Sequence, residues 1–371
     1  MTRVLQLCCD PGVVYGGTKG ASVHLAELSA ALAAGGAEVR VIVTAIAPGA
    51  IPPVGVTVEV LPGPARGSGV DDRLAAEPAR AEWLTARLRD WRADLLYERA
   101  ALHTAAGSVA AGLAGVPHVV ELNAPLPVEA ARYRRLDAPE SADRLERTVL
   151  ADADIVLAVS RPLATYARAR GARRVEMCPN AVDPARFPPA DAAAVPVGAV
   201  FAGSLRPWHG AGVLADAWVR LGADAPHLLV VGDGTGRDRL DAVGATVTGL
   251  VAHDDVPRLL ASAQIGVAPY PSDAPCYFSP LKLFEYLAAG LAVVAADLPG
   301  VADIAGDVAV LVPPGDAAAL AGAVADLVSD PARRGRLGAA GRALVRSEHT
   351  WSHRARQVLA LARPGAEVAA P

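Results

Sequence analysis

Lys282 and Glu285 stand three residues apart in the segment SPLKLFE, a spacing that puts an ammonium and a carboxylate on one face of a helix. Pro280 suits the first turn of that helix and Ser279 its N-cap, which leaves the N–H groups of Leu281 and Lys282 for an anion. A cation beside free N–H groups can hold a diphosphate, and a carboxylate one turn on can take two hydrogen bonds from a ribose diol. The same residues also read as an ordinary solvated Lys–Glu pair. Composition bears on the choice, because among 35 Lys and Arg only Lys19 and Lys282 are lysines, and both adjoin candidate phosphate loops.

The other such loop is DPGVVYGGTKGAS. Gly16 and Gly17 let the backbone approach a ligand, and the helix start after Lys19 favours an anion. The spacing is not G-x-G-x-x-G and no acidic residue ends the second strand, which speaks against a nicotinamide dinucleotide. The loop reads equally as an anion site or as a plain tight turn. Asp254 and Asp255, which look like a carboxylate pair, precede VPRLLASA where helix caps belong. Cys8, Cys9, Cys178 and Cys276 show no metal-ligand spacing, so no metal is expected; they read as buried reduced thiols, hence as cytoplasmic.

The elements that must position these residues follow from the rest of the chain. Its 371 residues suit two domains, and with 52% hydrophobic and 20% charged residues it should fold. A net charge of −4 without basic blocks excludes the footprint of a nucleic-acid binder. No apolar run has the length of a spanning helix, and the N-terminus lacks the marks of a signal peptide; peripheral membrane contact stays open. VLQLCC, EVRVIVTA, ADLLYER, VPHVVELN and ADIVLAVS are apolar strands separated by helical patterns, which implies a parallel sheet. VGAVFAGS, HLLVVGDG, IGVAPY and LAVVAAD repeat that grammar in the second half. Prolines crowd MCPNAVDPARFPPADAAAVPVG, so the linker is expected near Pro188 to Pro196 and a hinge across residues 179 to 196.

SPLKLFEYLAAGLAVVAAD resembles the donor-binding segment of the large retaining glycosyltransferase family that includes sucrose, glycogen and phosphatidylinositol mannoside synthases. GGTKGASVHLAELSAALAAGGAEVRVIV, CPNAVDPARF, FAGSLRPWHG, VVGDGTG, TGLVAHDDVPRLLASAQIGVAPY and TWSHRARQVLALA resemble further segments of that family in the same order. The resemblance implies a GT-B α/β fold of two Rossmann-like domains whose parallel sheets face each other across a cleft. Residues 1–188 would form the acceptor-side domain and 189–347 the nucleotide-sugar domain. A helix over 348–363 would cross back to the first domain, and 364–371 would be a disordered tail.

The family's ribose-binding glutamate matches Glu285, but its earlier sugar-reading glutamate is replaced by Tyr277. Its diphosphate-gripping Arg and Lys are replaced by Ser204 and His209. Arg206 and Lys282 are then expected to supply the positive charge, with a hydrogen bond from His209, which also reads as a plain loop histidine near Trp208. Gly16, Gly17, Lys19, Ser279, Pro280, Leu281 and Val251 complete the implied donor site. On the acceptor side VVELNAPL puts Glu121 and Asn123 where the family commonly has a histidine: Glu121 to orient or deprotonate the acceptor, Asn123 to hold the sugar. A turn before Pro125 is the alternative for both. Tyr97 and Arg99 in LYERAAL are further acceptor-side candidates. The expected activity is retaining transfer of a hexosyl unit from a UDP- or GDP-sugar to a hydroxyl acceptor, with no cofactor beyond that co-substrate. A nucleotide-sugar epimerase and a non-catalytic nucleotide-sugar-binding partner are the alternatives.

Overall fold

The computed structural model describes residues 1–64, 67–189, 198–277 and 279–362. Two compact units emerge, Met1–Pro179 together with the segment from Trp351 onward, and Asn180–Thr350. The division in space thus falls between Pro179 and Asn180, ahead of the boundary read from the prolines. Most of the Pro188 to Pro196 linker, part of the 179–196 hinge and the 364–371 tail lie outside the described residues.

Among the described residues the first unit holds seven parallel strands: β1 (Arg3–Cys8), β2 (Glu38–Val43), β3 (Val56–Val60), β4 (Leu95–Arg99), β5 (His118–Leu122), β6 (Ile155–Ala158) and β7 (Val175–Met177). Their order, β3-β2-β1-β4-β5-β6-β7, reverses direction between β1 and β4. The central strands read as unbroken apolar runs because both faces are covered: every residue of β5 and β6 is buried. The helix Gly20–Ala34 lays Leu25, Leu28 and Leu32 into the core. The last helix, Trp351–Leu361, packs on it, with Trp351 meeting the His24 ring edge-on at 4.9 Å.

Within the second unit six parallel strands follow the same plan: β8 (Gly198–Ala202), β9 (His227–Val231), β10 (Thr246–Val247), β11 (Ile265–Ala268), β12 (Ala292–Ala296) and β13 (Ala309–Val312), ordered β10-β9-β8-β11-β12-β13. Alternate residues of β8 feed opposite faces. Val200 and Ala202 join the core under the helix Leu281–Ala288, while Ala199 and Phe201 join the one under Ala211–Leu221 and Ala317–Ser329. The helix Pro331–Glu348 belongs to this unit. None of the described helices is long and apolar enough to cross a membrane.

Candidate active site

In a doubly wound sheet a crevice opens outside the carboxyl ends of the two strands where the order reverses. In the second unit those strands are β8 and β11, and Lys282 comes to this place. It is buried, not a solvated surface residue, and its ammonium has no hydrogen-bond partner among the described residues. Its Nζ lies 4.0 Å from the centroid of the Phe201 ring and 5.8 Å from that of Tyr270. Gly203, the first residue after β8, makes room: a Cβ there would stand 2.9 Å from the Lys282 Nζ, and its φ of +136° is itself glycine's. Burial pushes the Lys282 pKa down to about 7, against the pull of Glu285 one turn on. A buried cation with no hydrogen-bond partner among the described residues is a place prepared for an anion.

His209 closes the same corner. Its Nδ1 bonds the Ser204 carbonyl, and its ring meets those of Trp208 and Tyr270 edge-on. Burial, then the neighbouring Lys282 charge, push its pKa down to about 3, so the ring is neutral near pH 7. A carbonyl only accepts, which places the one proton on Nδ1 and leaves Nε2 as an acceptor. The expected His209 hydrogen bond to a phosphate is therefore corrected: this nitrogen suits a hydroxyl or N–H of a ligand.

The start of the helix differs from the sequence reading. Pro280, not Ser279, occupies the N-cap position, and the helix runs Leu281–Ala288. Ser279 is buried, and its Oγ accepts the Asn180 N–H at 3.0 Å while its carbonyl accepts from the Asn180 side chain. Ser279 thus ties the segment SPLKLFE to the first residue of its own unit. Glu285 is half-buried one turn beyond Lys282, and Val251 packs half-buried against the core beneath that helix. Arg206 is exposed, and its charge adds to the forces that keep His209 neutral. Tyr277 is half-buried, and Cys276 beside it is exposed, which corrects the expectation of four buried thiols; Cys8, Cys9 and Cys178 are buried. Asp255 makes no side-chain cap, and Asp254 pairs with Arg186 at 2.6 Å.

The first unit gathers its predicted residues more tightly. Register places Arg99 directly opposite Glu121 across β4 and β5. The Glu121 carboxylate receives His24 at 2.6 Å and Arg99 at 3.4 Å, and Tyr97 hydrogen-bonds to it. Burial alone would push its pKa up; His24, Arg99 and the Asn123 amide outweigh that and hold it at about 2. A carboxylate so buried and so weakly basic does not deprotonate a hydroxyl near pH 7. Glu121 is therefore not the expected base but the anchor that fixes Arg99 and His24. His24 is not singled out by any motif; its one signal in the sequence is a polar residue inside the stripe of Leu25, Leu28 and Leu32.

The glycine loop behaves first as a turn. Gly16 has φ +76°, and a Cβ on it would press within 2.5 Å of Ala50. The Val14 N–H goes to the Ser22 hydroxyl, and Gly17 lies between them. Lys19 is exposed and takes the N-cap position with no side-chain cap.

Each unit is thus a doubly wound α/β fold that gathers charged and polar side chains at the carboxyl ends of its strands, the class that takes nucleotides and their derivatives there. Residues 196–330 match the family described as glycosyl transferases group 1, and residues 19–181 match the glycosyl transferase 4-like domain. The chain belongs to the group 1 glycosyl transferases and has the GT-B fold. It is similar to sucrose-phosphate synthase from Thermosynechococcus elongatus, at 20% identity and TM-score 0.76 over 97% of this chain and 98% of that one. It is also similar to Anabaena HepE in complex with UDP and glucose, at 18% identity and TM-score 0.71 over 97% and 98%. A glycosyltransferase from Rickettsia africae matches at 15% identity and TM-score 0.72 over 97% of both chains. No curated protein matches the chain by sequence.

Proposed function

We propose that this glycosyltransferase moves a hexosyl unit from a UDP- or GDP-linked donor to a hydroxyl acceptor with retention at the anomeric carbon. The observation that carries the reading is the buried Lys282 ammonium, without a hydrogen-bond partner among the described residues, at the reversal point of the second unit's sheet. A diphosphate would supply that partner, and Glu285 one turn on would take the ribose diol. HepE was captured with UDP and glucose, which agrees with a nucleotide sugar as donor.

In the reaction the bond from the anomeric carbon to the donor phosphate breaks while the acceptor oxygen bonds to the same face. The acceptor proton passes to the departing phosphate oxygen, so no protein base is needed, in keeping with the weakly basic Glu121. Lys282, with Arg206 at the exposed rim of the loop, offsets the charge that grows on the diphosphate. Asn123, whose buried amide nitrogen has no hydrogen-bond partner among the described residues, would hydrogen-bond the transferred sugar. Mass spectrometry over a panel of UDP- and GDP-sugars, with and without hydroxyl acceptors, tests this. Transfer with a retained anomeric centre by NMR supports it; a donor converted to its epimer with no product in the acceptor sinks it.

A further inference from the structure

β8 and β11 are neighbours, but they share a short ladder: Ile265 faces Ala199 and Gly266 faces Val200. Past that point the strands part, and each brings a backbone group that the ladder does not pair. One side chain takes both. The Ala202 N–H donates to the Tyr286 hydroxyl oxygen at 2.6 Å, and that hydroxyl donates to the Val267 carbonyl at 3.4 Å. The ring reaches them because β11 carries glycine where it passes; a Cβ on Gly266 would stand 2.7 Å from the Tyr286 ring. Tyr286 is fully buried and lies one helical turn from Lys282, on the same face. The residue after Ala202 is Gly203, against which the Lys282 ammonium rests.

We propose that Tyr286 is a positioning residue: its hydroxyl pins the helix Leu281–Ala288 to both strands where they separate, and so sets the Lys282 ammonium against Gly203. The consequence for the donor rests on the function proposed above, since a diphosphate must find that ammonium in register. Without the hydroxyl the Ala202 N–H and Val267 carbonyl lose their shared partner, the helix start loosens, and water reaches Nζ. The groups that face Lys282 are Glu285 on its own helix, Phe201 on β8, His209 on the loop after β8, and Tyr270 just past β11. Tyr286→Phe leaves all four in place.

The chain has two lysines, so 13Cε-lysine NMR gives two resonances, with Lys19 as internal reference. Wild-type Lys282 should titrate near pH 7. Tyr286→Phe should raise that midpoint by about one pH unit, leave Lys19 unmoved, and weaken UDP or GDP binding about tenfold, the effect of one lost hydrogen bond. Trp218→Phe is the control, because its indole donates to the Pro226 carbonyl at 2.9 Å in the core on the other face. It should lower the melting temperature yet move neither readout. Should Tyr286→Phe fold poorly, Gly266→Ala, which displaces the same ring, should shift the Lys282 midpoint instead. An unchanged midpoint in the folded variant overturns the proposal. A wild-type protein that binds neither UDP nor GDP defeats the donor reading, while the titration still decides whether Tyr286 places Lys282.

Discussion

Lys282→Met should make this protein more stable and disable it. The ammonium is carried into the interior with no hydrogen-bond partner among the described residues, and its pKa falls from the ordinary 10.5 to about 7. At about 1.4 kcal/mol per tenfold, the charged form costs the fold roughly 5 kcal/mol, an upper bound because the cation also rests on Phe201. Methionine has similar length and no charge to desolvate. The sign with pH is fixed by linkage. Below pH about 7 the lysine is charged both folded and unfolded, and the whole penalty is present. As pH rises from about 7 toward 10.5 the folded form has lost its proton while the unfolded form keeps it, and the penalty shrinks to nothing. Urea denaturation at pH 6 and pH 9 should therefore show the variant ahead by several kcal/mol at pH 6, on the order of 3, and by less at pH 9. Calorimetric titration with UDP and GDP should show binding weakened about a hundredfold, as for loss of a charge-assisted contact. A variant no more stable than wild type at pH 6, or one whose advantage does not change with pH, would refute the reasoning.

Glu121→Gln should destabilise the first unit by about 3 kcal/mol near neutral pH, as for breaking a buried ion pair. The Glu121 pKa is held at about 2, so its contribution is complete above the ordinary carboxylate range and is lost as pH falls through that range toward 2; acid titration by circular dichroism should show a shallower loss in the variant. Glu285→Ala should weaken UDP binding about tenfold, as for a lost charged hydrogen bond, with the titration of Lys282 moved downward because its nearest carboxylate is gone. Arg206→Ala should weaken nucleotide binding by about threefold at low salt and by less at high salt, since exposed charges are screened, whereas the Lys282 effect should persist in both. Cys276 should react with a maleimide in the native protein while Cys8, Cys9 and Cys178 wait for denaturant, read by mass spectrometry.

The sequence by itself carried the strand-and-helix alternation, because central parallel strands covered on both faces must be apolar throughout. β5, β6, β8, β11 and β12 were legible for that reason. β3 and β13 were not: each pairs on one side only and keeps partly exposed residues, so VTVEV and AVLV show little contrast with their surroundings. The segment SPLKLFE was readable as an ammonium and a carboxylate on one helix face, since that follows from the helical repeat. Burial of Lys282 could not be read there, because it depends on Phe201, Gly203 and Tyr270, which arrive from β8 and from the segments that follow β8 and β11. The same limit explains Glu121, for which the family resemblance implies a base and whose partners His24 and Arg99, about a hundred and about twenty residues away, make it an ion-pair anchor. Local periodicity fixes which residues share a face; which charge keeps its proton is settled by neighbours brought from distant parts of the chain, because desolvation and pairing are properties of the packed interior alone.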